Sequence, residues 1–174
     1  MLIALLVASA CGSGDASTTD LGPPARVAEE LVPSSLLGEQ LSVPLYTGEE
    51  GTEAFADAGD ATLVADGKLW ELRQGDTLVG VLQISTVKRR VDLGDAGQRR
   101  AILSILSGGV KRVEILGVTV SFAETEDQVR YLWFGADFFE VLTLKSSKVE
   151  PEDVLTDLIE FQVEQPQWKP LPPD

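Results

Sequence analysis

Between residues 113 and 144 the chain alternates apolar and polar positions through four segments, with no helical repeat among them. Val113 and Ile115 set the first alternation. Gly117 then shifts the phase, and Val118, Val120 and Phe122 take over the apolar face, so a bulge or tight bend is expected at Leu116-Gly117. Glu124-Thr125-Glu126-Asp127 makes a polar turn before the alternation Val129, Tyr131, Trp133, and Gly135-Ala136-Asp137 reverses the chain again. Residues 138–144 are apolar on both faces, which predicts a strand covered on both sides. Strands joined by turns this short run antiparallel. Such a block commits the chain to an antiparallel sheet.

Two further strands precede it. Residues 69–73 read as one, Gly75-Asp76 as a turn, and residues 77–87 as the next, with Leu78, Gly80, Leu82 and Ile84 on one face and Val79 and Val81 on the other. That second strand is expected to be central. Asp95 is placed to cap a helix whose stripe is Ala101, Ile102, Ile105 and Leu106, and Gly108-Gly109 stops it. A closing helix starts at Pro151, with Glu150, Glu152 and Asp153 complementing its positive end. Its wide apolar face runs through Val154, Leu155, Leu158, Ile159, Phe161 and Val163 until Pro166. An opening helix is expected near Pro24, through Val27, Ala28 and Leu31 to Pro33. The predicted class is α+β, an antiparallel β-sheet with helices packed on it, in the order α-β-β-α-β-β-β-β-α.

The N-terminal end has a different character. An unbroken apolar run over residues 1–7 passes through Ala8, Ser9 and Ala10 to Cys11, the chain's single cysteine. This stretch is shorter than the roughly 20 residues of a membrane span and has the length of a signal-peptide core. It resembles the signal peptide of bacterial lipoproteins, in which small residues precede a cysteine that becomes lipidated. Ala8 stands where that family usually has Leu, and no Lys or Arg precedes the run. The resemblance implies an acylated (palmitate-bearing) Cys11 and a protein anchored in the cell membrane on its extracytoplasmic face. The chain then divides into a signal peptide (1–10), a flexible tether (11–24) and an acidic, loosely structured segment (25–60). An α+β domain (61–165) and a Pro-rich tail (166–174) follow, the tail lying across the body through Trp168. In element order alone, the domain is similar to the PsbP-like domains of exported lipoproteins such as the LpqN group.

Charge narrows the partners. A net charge of −14 excludes a general nucleic-acid role, because a polyanion would be repelled. The distribution is uneven: Lys88, Arg89, Arg90, Arg99, Arg100, Lys111 and Arg112 face only Asp92 and Asp95 within 25 positions, a local +5 against −19 elsewhere. These basic residues read either as a solvated face or as a contact for anionic lipid headgroups or an acidic envelope partner.

The chemistry open to the chain is limited. With no histidine there is no Ser-His or Cys-His pair and no imidazole metal ligand. Ser85-Thr86-Val87-Lys88 matches the S-x-x-K pattern of penicillin-binding proteins, but it ends an alternating strand, where positions i and i+3 face opposite ways. Asp92-Leu93-Gly94-Asp95 and Glu124-Thr125-Glu126-Asp127 lack the spaced oxygen ligands of a calcium loop, and capping and turn formation explain them. Trp70, Tyr131 and Trp133 read as sheet core or as the walls of a ligand groove between sheet and helix. No cofactor or metal is expected. The sequence points to a membrane-anchored lipoprotein that binds a protein or lipid partner without catalysis. A carboxylate-dependent hydrolase and an accessory subunit of a cell-envelope complex are the alternatives.

Overall fold

A computed structural model describes residues 28–41, 44–45, 63–88, 91–145, 150–166, 168 and 171. The leader, Cys11, the tether, Arg89 and Arg90 lie outside the described residues. The fold is α+β: a six-stranded antiparallel sheet with a helix on each face. Strands β3 (Val64–Gln74) and β4 (Thr77–Val87) form a hairpin, and helix α1 (Ala96–Leu103) follows. Strands β5 (Lys111–Ile115), β6 (Val118–Glu124), β7 (Gln128–Phe134) and β8 (Phe138–Lys145) then form a meander, and helix α2 (Pro151–Val163) closes the domain. Sheet order is β3-β4-β8-β7-β6-β5, so β8 folds back to pair with β4. Both strands expected to be central are central.

Period-two alternation sorts the side chains into two cores. Leu82 and Ile84 of β4, Tyr131 and Trp133 of β7, and Phe138, Leu142 and Leu144 of β8 meet Val154, Leu155, Leu158 and Ile159 of α2. On the other face Val87, Leu132, Phe139 and Val141 pack with Leu93, Ile102 and Leu106 around α1. Leu158 and Ile159 are fully buried, and each contributes about 1.5–3 kcal/mol by leaving water. Pro151 opens α2 as expected, and the Asp95 carboxylate caps α1 by accepting from the backbone N–H of Gly97 (2.7 Å) and Gln98 (2.9 Å). Ala101, expected on the buried stripe of α1, is exposed instead.

Several expectations need correction. Val79 does not share a face with Val81. The β3–β4 register skips it between Leu72↔Gly80 and Arg73↔Leu78, and this bulge turns Val79 into the α2-side core. Among the described residues the opening helix is a 3-10 turn (Ala28–Leu31), and a two-strand hairpin of β1 (Ser35–Leu36) and β2 (Glu39–Gln40) follows it. Within the segment expected to be loose (25–60), of which residues 28–41 and 44–45 are described, Ala28, Leu31 and Leu36 are buried in the α2-side core. Lys68 of β3 pairs with Glu29 of the 3-10 turn, which fastens it further. Trp168 does return to the body, its ring centroid 6.1 Å from that of Phe138.

Candidate functional site

Alternation along β8 aims Glu140 at the face covered by α2, between Ile84 of β4 and Trp133 of β7. Gln162, in the last turn of α2, meets it there. The Gln162 side-chain N–H group donates to Glu140 Oε1 and to the Leu31 carbonyl (3.0 Å), while its oxygen accepts from Trp133 Nε1 (3.0 Å). Neither Glu140 nor Gln162 reaches solvent. Glu140 is the one buried acid among the described residues. Burial pushes its carboxyl well above the usual range, and the hydrogen bond from Gln162 only partly opposes this. Its Oε2 has no hydrogen-bond partner among the described residues. Sealed in this way, the group cannot meet a substrate; its chemistry is that of a polar peg fixing how α2 sits on the sheet.

Trp70, Tyr131 and Trp133 all line this same face, and each is core: they are 3%, 7% and 0% exposed. Tyr131 stacks on Phe122 at 5.5 Å, and its hydroxyl titrates above its ordinary value because of burial and then the charge of Glu124. The rings share this core with residues of α2 and the 3-10 turn.

The basic residues are dispersed. Arg99 is 5% exposed, its guanidinium donating to the carbonyls of Leu93 (2.7 Å) and Gly94 (3.1 Å), so it braces the loop before α1 and cannot meet a headgroup. Arg100, the next residue, is exposed. Lys88 follows β4 at the end of the sheet opposite to Lys111, which begins β5 four strands away. Lys111 pairs with Glu124 at 2.8 Å and lies 5.6 Å from the Phe122 ring centre. By alternation Lys111 and Arg112 point to opposite faces of the sheet. The described members form no single basic plane.

Ser85 lies in β4, buried, with its hydroxyl unpartnered among the described residues, and strand geometry sends Lys88 the other way. The acid clusters do the structural work expected of them. Asp92 Oδ1 accepts from Gly94 N–H (2.8 Å), and Thr125 closes its turn on the Gln128 carbonyl (2.8 Å).

Two further surface features stand out among the described residues. One is a groove of about 160 Å³ between the β1–β2 hairpin and the β3–β4 turn, lined by Leu36, Leu41, Glu71 and Arg73 among others. Drug-sized ligands need roughly 300 Å³ or more, and the groove's charges are already engaged: Arg73 with Glu71 at 2.8 Å, Glu39 with the Gly75 N–H at 3.2 Å. The other is β5, at the end of the sheet. Val110, Val113 and Leu116 are exposed on it or beside it. The sequence held this signal, since Lys111-Arg112-Val113-Glu114 places charge on a strand too polar to be central. The chain matches no family model, no curated protein and no solved structure. No helix among the described residues is long and apolar enough to cross a membrane.

Proposed function

We propose that this chain is an exported lipoprotein held at the extracytoplasmic face of the cell membrane by acylated Cys11, with its α+β domain acting as a non-catalytic interaction module. The observation that carries the proposal is the apolar run ending in Ser9-Ala10-Cys11, with the chain's single cysteine at the position of lipidation and a Gly-Ser-Gly tether after it. An element order of α-β-β-α-β-β-β-β-α belongs to the same reading, with the 3-10 turn counted as the first helix and the two-residue strands β1 and β2 left out. The disposition of the domain supports it. Its buried acid and its aromatic rings serve the packing of α2, which leaves the outward β5 edge as the feature with apolar side chains to offer a partner. A protein partner fits this better than a lipid surface, because the described basic residues share no face.

Metabolic labelling of expressing cells with an alkyne fatty acid tests the anchor. Wild type is expected to carry label and to sediment with membranes, and Cys11→Ala is expected to lose the label and leave the membrane fraction. An unlabelled wild type, or a Cys11→Ala chain that keeps its label, overturns the proposal.

A further inference from the structure

We infer that β5 is a self-complementary edge through which two copies of this chain pair antiparallel about a twofold axis at Val113. Every residue of β5 but Ile115 is exposed, and among the described residues β6 is its one neighbouring strand. Among these residues four large apolar side chains are exposed, and three of them, Val110 (44%), Val113 (39%) and Leu116 (55%), lie on this strand or at its ends. The opposite edge differs, because the Leu45 N–H donates to the Leu69 carbonyl of β3 at 2.8 Å. An open edge flanked by apolar residues is a template for strand addition.

The order of charges selects the occupant. With the twofold at Val113, Arg112 of each copy faces Glu114 of the other, Val113 faces Val113, and Val110 at one end meets Leu116 at the other. Moving the axis to Arg112 sets two guanidinium groups opposite each other, and moving it to Glu114 sets two carboxylates opposite each other. Of these three registers, that at Val113 alone sets unlike charges opposite each other, while Lys111 stands opposite Ile115. Glu114 also accepts from Thr119 Oγ1 (2.5 Å), and Arg112 has an interaction within its own chain. A carboxylate offers about four acceptor sites and a guanidinium five donors, so both have capacity for the second copy. One strand pair buries less than the roughly 1,000 Å² of a stable complex, so the contact is a weak and reversible one. The inference rests on the edge and not on the anchor.

Sedimentation velocity on the full-length Cys11→Ala chain, which cannot be acylated, tests pairing independently of lipidation. Between about 1 and 500 µM the mass is expected to rise reversibly from 18.7 kDa toward twice that value. Arg112→Glu and Glu114→Arg are each expected to weaken pairing by about tenfold or more, because both symmetric contacts become repulsive. The double variant R112E/E114R restores opposite charges and is expected to regain the dimer. Val113→Lys, which brings two ammonium groups together at the axis, is a second disruptor, and circular dichroism confirms folding of each chain. A monomer mass throughout the range overturns the inference, as does association that survives both R112E and V113K. So does a folded double variant that stays monomeric where wild type pairs.

Discussion

Gln162 on α2 donates to the carboxyl of Glu140 on β8, and neither side chain touches water. The same amide group reaches the Trp133 indole and the Leu31 carbonyl, so one side chain ties the last helix to the sheet and to the first turn of the domain. In a core otherwise made of aliphatic side chains and aromatic rings, this cluster gives α2 one seating among many that apolar packing alone would tolerate.

The Glu140 carboxyl makes stability depend on pH in a defined direction. Its folded-state pKa is raised by burial, while the unfolded chain ionises near 4.3. The stabilising contribution is therefore complete below about 4.3 and is lost as pH rises toward the folded value. Thermal melts from pH 4 to pH 8 are expected to show wild type losing ground steadily to Glu140→Gln, which has no such proton. Parallel profiles for the two chains would contradict a Glu140 carboxyl raised by burial.

Gln162→Leu keeps the volume and removes all three hydrogen bonds. The Trp133 N–H, the Leu31 carbonyl and Glu140 Oε1 are left buried without this partner, and each such group costs about 1–3 kcal/mol. Urea unfolding is expected to show a loss of roughly 2–5 kcal/mol after credit for the added apolar contact.

Neighbouring arginines on α1 are expected to behave oppositely. Arg99→Ala removes buried bonds to the Leu93 and Gly94 carbonyls and is expected to cost about 2–3 kcal/mol. Arg100→Ala, at an exposed site, is expected to stay within about 0.5 kcal/mol. Denaturant midpoints of the two variants separate them.

Gly80 of β4 pairs with Leu144 of β8. A Cβ there would stand 2.6 Å from the Thr143 carbonyl oxygen and 2.7 Å from Leu144 Cδ2. Since the first of these is backbone in a central strand, relief requires moving the β4–β8 ladder. Gly80→Ala is expected to lower stability by about 1–3 kcal/mol, read from its thermal midpoint.

Leu116 occupies the first turn position of the β5–β6 hairpin at φ 50°, and Gly117 follows at φ 79°. Positive φ at both positions is what a type I′ turn requires, and Asn-Gly meets that demand at far lower cost than Leu-Gly. Leu116 is also 55% exposed. Leu116→Asn is expected to raise stability by about 0.5–1 kcal/mol, seen as a higher melting temperature.

The sheet was legible because its alternation is strong: Val118-Val120-Phe122 and Val129-Tyr131-Trp133 admit no helical reading, and the bend expected at Leu116-Gly117 is a two-residue turn. The β1–β2 hairpin was not legible. Its turn is also Leu-Gly, Leu37 at φ 58° and Gly38 at φ 74°, and a leucine gives no sign of adopting positive φ. Arg99 and Arg100 look alike in sequence, and only the carbonyls presented by the loop at Leu93 and Gly94 decide which of them turns inward. Val79 was misassigned for a related reason, since a bulge reverses alternation without changing composition. The Glu140 cluster depends on Gln162 and Leu31, residues far apart in the chain, and no local pattern announces such a meeting.

The bond from Gln162 to Leu31 spans 131 residues and joins the first turn of the domain to its last helix. The chain is in effect a loop held shut by that clasp, with the six strands inside it. A pull on the N-terminal side loads the 3-10 turn before it loads any strand of the sheet. Force would thus enter at the clasp, and the first event under tension would be the parting of the two ends, with the sheet behind them still intact.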